Sequence, residues 1–114
     1  MTVAALRAAW WTWRALPRIR RQLDAGRLRD ISVGTPPPLP AHARRGVEGV
    51  LRRLPNSCLE RALLLQRWHG AQGRPLDVVV GVTSSKDGFR AHAWLEDEPA
   101  PGSPRFDELL RLSP

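Results

Sequence analysis

The sequence is poor in cysteine and in long apolar runs, and each shortage excludes something. A single cysteine, Cys58, among 114 residues rules out an internal disulfide and suits a reducing, cytoplasmic setting. One cysteine and three scattered histidines (His42, His69 and His92) lack the close paired spacing of a zinc site, so no metal and no cofactor is expected. Arg7 and Arg14 break the N-terminal apolar stretch and no small-residue cleavage site follows it, so neither a signal peptide nor stable membrane insertion is expected. What is abundant is proline, eleven residues, and glycine, nine, which assigns a sizeable share of the chain to loops. A chain of this length builds one domain with little core to spare.

Charge is unevenly spread. Residues 1–53 carry eleven arginines against Asp24, Asp30 and Glu48, a net +8, whereas residues 54–114 come to −1. A basic first half points to an acidic partner such as nucleic acid, a membrane surface or an acidic peptide. No helix-turn-helix or RNA-binding signature accompanies the arginines, so nucleic acid is not the expected partner.

Along the chain, residues 3–16 hold strong helix formers and no breaker before Pro17. The spacing predicts a helix with Leu6, Trp10, Trp13 and Leu16 on one face and Trp11 pointing elsewhere; packing of that face on the domain is favoured over docking to a partner. A second short helix is expected over 18–25, ending at Gly26. Residues 31–40 contain a proline run and read as a stiff spacer, dividing an N-terminal segment, 1–40, from a core, 41–114. Val47, Val50, Leu51 and Leu54 give helical spacing up to Pro55. Residues 76–83 are β-branched and read as a strand, 84–88 as a turn, and 89–96 as a second strand. In that strand Phe89, Ala91, Ala93 and Leu95 face one way and Arg90, His92, Trp94 and Glu96 the other. Residues 97–105 are acidic and proline-rich, hence loop, and 106–112 are expected as a short strand or a helical turn.

Between Pro55 and Gly70 lies the stretch that carries chemistry. Ser57 and Glu60 have the S-x-x-E spacing of a capping box, making Ser57 the N-cap and Cys58 the first residue of an apolar, buried helix. Backbone N–H groups and the positive end of the helix dipole then point at the sulfur, an environment suited to a nucleophilic thiolate. A cysteine protease needs that thiolate, an imidazole to shuttle protons and an acid to orient the imidazole. Cys58 and His92 supply the first two. Asp107 and Glu108, on the segment after the His92 strand, are the favoured acids, with Glu96, Asp97 and Glu98 as the others within reach. Trp94 and Glu96 share the face of His92 and are expected to wall the site and contact substrate. The bland alternatives are a small buried cysteine and a half-buried strand histidine; His42 reads as loop polarity and His69 as a charge at a helix C-terminus.

The series Cys58-Leu-Glu-Arg-Ala-Leu, then Val78-Val-Val-Gly-Val, then Phe89-Arg-Ala-His-Ala-Trp-Leu-Glu resembles the transglutaminase-like leader peptidases of lasso-peptide biosynthesis, the type that processes microcin J25. The match runs over about residues 45–112. The resemblance implies an α+β fold with a papain/transglutaminase-like core: a cysteine-bearing helix packed on a small antiparallel sheet, preceded by N-terminal helices. It implies Cys58 as nucleophile and His92 as general base and acid, with Asp107 and Glu108 at the position of the family's acid. It further implies a ribosomally made precursor cut between leader and core, a separate leader-recognition protein, and a macrolactam cyclase acting downstream. Two other functions compete: a non-catalytic scaffold using the basic tryptophan-bearing half, and a Cys–His acyl transferase.

Overall fold

A computed structural model describes residues 2–85, 88–98 and 106–114. Helix α1 spans Val3–Asp24, and the Thr2 side chain caps it by accepting from the Ala5 N–H at 3.1 Å. One helix therefore stands where the sequence suggests two, with Pro17 inside it. Pro17 and Trp13, whose carbonyl the proline cannot serve, both lie on the solvent side. Water can satisfy that carbonyl, while Ala15, Leu16 and Ile19 are buried on either side of the proline and hold the helix together.

The buried face of α1 also differs from the expected one. It consists of Ala5, Ala8, Trp11, Thr12, Ala15, Leu16 and Ile19. Leu6, Trp10 and Trp13 are 56%, 59% and 53% exposed. The reason is the neighbour. Helix α2, Arg44–Arg53, crosses α1 so closely that a Cβ built on Gly46 would lie 1.8 Å from the Ala5 carbonyl oxygen. Only small residues on α1 tolerate such an approach, so the alanines and not the bulky tryptophans face α2.

Residues 25–40 form no helix or strand, as expected of the proline-rich run, but they are strapped down. The Trp11 indole donates to the Gly34 carbonyl at 2.8 Å, and Gln22 exchanges two hydrogen bonds with the Ser32 backbone. Arg67 donates to the Ile31 carbonyl, and Ile31 is buried in the main core.

After a single 3-10 turn and α2, the chain turns at Pro55-Asn56, where the Asn56 amide serves the Leu51 and Leu54 carbonyls at the end of α2. Helix α3, Cys58–Ala71, follows, with Leu63, Leu64, Leu65 and Trp68 fully buried. Three strands make one antiparallel sheet in the order β2-β1-β3: β1 is Val78–Ser85, β2 Gly88–Leu95 and β3 Asp107–Leu112. The last expected segment is thus a strand, and the first two strands sit slightly later and earlier, respectively, than the sequence spacing suggests. Part of the expected 84–88 turn and most of the expected 97–105 loop lie outside the described residues.

One sheet face packs on α3. Val78, Ala93, Leu95 and Leu112 enter the same buried cluster as Leu63, Leu65 and Trp68, and buried Gln66 ties α3 to the Leu76 and Leu112 carbonyls at 3.0 and 2.8 Å. Among the described residues the fold is three α-helices and a three-stranded antiparallel sheet, an α+β architecture with the cysteine helix against the sheet.

Candidate active site

Ser57 and Glu60 form the full capping box. Glu60 N–H donates to Ser57 Oγ at 3.1 Å, and Ser57 N–H donates to Glu60 Oε1 at 2.8 Å. Cys58 is consequently the first residue of α3, a free thiol, half-buried against the core. The first-turn N–H groups that have no partner within the helix surround this position. A second device fixes the same turn. Arg20, from α1, donates through Nε to Glu60 Oε2 at 2.8 Å and through Nη2 to the Pro55 carbonyl at 2.6 Å. Burial alone would raise the Glu60 carboxyl; the Arg20 hydrogen bond and the Ser57 N–H outweigh it and hold Glu60 below its ordinary range. The signal for Arg20 in the sequence was the carboxylate in an apolar helix, which burial obliges to find a partner.

His92 lies on β2 opposite Gly81 of β1. It stacks on Trp94 at 5.9 Å between ring centres and tilts against Phe106 at 5.6 Å. A Cβ on Gly81 would lie 2.8 Å from the Trp94 ring and 3.1 Å from Phe106 Cβ, so the aromatic cover rests on a bare patch of backbone. Trp94 is buried there. The strand alternation separates this cluster from the α3 layer: Ala93 and Leu95 enter the core, His92 and Trp94 point to the other face. Among the described residues no hydrogen bond joins His92 to Cys58 or to any acid. β2 is an edge strand of the sheet.

The acids fall into two groups. Glu108 pairs with Gly81 and so shares the row of His92, two strands away; Asp107 pairs with Val82 on the opposite side of the pleat. This parity follows from a bulge, because Val80 faces Leu110 while Gly81 faces Glu108, leaving Leu109 as the extra residue. Glu108 is bound by Arg111 Nε at 3.0 Å, and Arg111 Nη1 also reaches Glu96 at 3.3 Å and Asp77 at 3.7 Å. Glu96 additionally accepts from the Asp77 N–H at 2.8 Å. Glu96 and Glu108 are thus both in the hands of Arg111, and Asp107 is exposed without an ion-pair partner among the described residues. Asp97 pairs with Arg74 and Glu98 with Arg61, on the α3 side.

His42 is exposed in the turn before α2, as read. His69 is not a charged C-terminal residue of α3: it is buried, its Nε2 has no hydrogen-bond partner among the described residues, and burial, with Arg44 and Arg74 adding to it, pushes its pKa down, so the ring is neutral. Among the described residues no cluster of three metal-ligating side chains is formed, and no helix is long and apolar enough to cross a membrane.

A family model for the transglutaminase-like superfamily matches residues 1–111. No curated protein and no solved structure is matched by this chain.

Proposed function

Since the chain belongs to the transglutaminase-like superfamily, whose members commonly use a cysteine, a histidine and an acid for peptidase or acyl-transfer chemistry, we propose that it is a cysteine peptidase. Its substrate in this reading is a ribosomally made lasso-peptide precursor, cut between leader and core. The observation that carries the reading is Cys58 at the first position of a helix whose cap is doubly fixed, by Glu60 and by Arg20. That is where a sulfur nucleophile gains most from the backbone.

The Cys58 thiolate attacks the carbonyl at the leader–core junction. Charge develops on the carbonyl oxygen, and the first-turn N–H groups of α3, that of Cys58 among them, stabilise it. His92 gives a proton to the departing amine of the core as the C–N bond breaks, leaving the leader as a thioester on Cys58. Water, deprotonated by His92, then attacks the thioester, releases the leader carboxylate and restores the thiol. His92 stands on the sheet face away from the α3 layer, so this reading requires a rearrangement that brings imidazole and thiol together in the working complex. Glu108 is the acid best placed by row to orient His92, on release from Arg111. A separate leader-recognition protein presents the substrate, a macrolactam cyclase takes the freed core, and the free thiol suits cytoplasmic work.

The test is the mass of the products formed from a lasso precursor in the presence of its leader-binding protein. Hydrolysis gives leader and core whose masses sum to the precursor plus one water. A product joined to another amine instead would assign acyl transfer, and an uncut precursor would refute the peptidase reading.

A further inference from the structure

The exposed face of α1 is a surface in search of a partner. Trp10 and Trp13 stack at 5.3 Å between ring centres while remaining more than half exposed, and Leu6 and Val3 extend the apolar strip toward the N-terminus. A single small domain has every reason to bury such side chains, yet α1 buries Trp11 and leaves Trp10 and Trp13 outside. Beside the strip lies a groove of about 570 Å³, with the strap at Gly34 and Pro37 as its far wall. That wall is held by the Trp11–Gly34 hydrogen bond.

The charge on the groove has one sign. Arg7, Arg14 and Arg18 line it, and the helix has no acid before Asp24. None of the three arginines has an ion-pair partner among the described residues; Arg14 lies 6.0 Å over the Trp10 ring. Aromatic anchors beside unpaired arginines are the composition of binding hot spots. We propose that this groove docks an acidic, apolar-anchored peptide segment of another polypeptide. Concavity favours a peptide over a membrane, because the strap stands beside the helix where a flat bilayer would have to lie. The groove and Cys58 are separate features, so the proposal does not depend on what Cys58 cuts.

Random peptides displayed on phage are selected on the full-length chain, and the winners are labelled and titrated by fluorescence anisotropy. Selected peptides should be net acidic with a large apolar residue. Binding should weaken by about tenfold in Arg7→Glu/Arg14→Glu and in Trp10→Gln/Trp13→Gln, and with added salt. The charge-reversed variant should in turn bind a net basic analogue better than the wild type does, a gain that misfolding cannot mimic. Selection of peptides without acidic residues, equal binding to the charge-reversed variant, or no enrichment at all overturns the proposal. Sedimentation with phosphatidylglycerol vesicles, lost in the arginine variant and unaccompanied by peptide binding, would overturn it in favour of a membrane surface.

Discussion

Arg20 of α1 grips Glu60 of α3 at 2.8 Å and the Pro55 carbonyl at 2.6 Å, so a helix remote in sequence sets the turn on which Cys58 stands. Arg20→Met keeps the apolar stem and removes the grip. It should lower the melting temperature and slow alkylation of Cys58 by iodoacetamide in the folded protein, with Arg20→Lys restoring part of both. Because Glu60 is held below its ordinary range, its contribution is present above the carboxylate range of the unfolded chain and is lost as pH falls through the folded value. Thermal melts across acidic pH should show this loss in the wild type and a shallower one in Glu60→Gln.

Gly46→Ala should be among the most damaging single-methyl changes in the chain. The new Cβ would meet the Ala5 backbone at 1.8 Å, and a carbonyl cannot rotate aside as a side chain would. Overpacking typically costs about 1–3 kcal/mol, and a clash with backbone should reach the upper end or beyond. Urea denaturation measures it; Gly34→Ala, where a Cβ meets nothing within 4 Å, is the matched control.

His69 makes the fold sensitive to mild acid. Its ring is kept neutral by burial and by Arg44 and Arg74, with Asp97 and Glu98 opposing. The unfolded chain takes up the proton near pH 6.5 while the folded chain resists to a lower pH, so the unfolded state binds more protons and stability falls as pH drops below about 6.5. His69→Phe should flatten the melting temperature in that window. Parallel profiles for the two proteins would sink the idea.

Gly81→Val should injure the site more than the fold. The added carbons enter the space of Trp94 and Phe106 and displace the rings on which His92 rests. Precursor cleavage per folded molecule should drop well beyond what the loss of stability, about 1–3 kcal/mol, explains.

Much of the sheet and of the α3 cap was legible in the sequence because both depend on near neighbours. A period of two assigns Ala93 and Leu95 to one face and His92 and Trp94 to the other, and S-x-x-E marks the cap wherever it occurs. What was not legible depends on distant partners. Pro17 breaks a helix locally, but burial of Leu16 and Ile19 outweighs it. Trp10 and Trp13 of α1 look like core until Gly46 is known to press against Ala5. The Leu109 bulge, which turns Glu108 and not Asp107 to the side of the pleat that carries His92, leaves no mark in residue spacing. Gly81 was the clue to the aromatic cluster, a glycine in a β-branched strand.

The most direct measurement is cleavage of the precursor, followed by mass spectrometry, for wild type, Cys58→Ala and His92→Ala side by side, each shown to be folded by its melting transition. The nucleophile assignment predicts leader release by the wild type and none by either variant. Release by Cys58→Ala at the wild-type rate would contradict it.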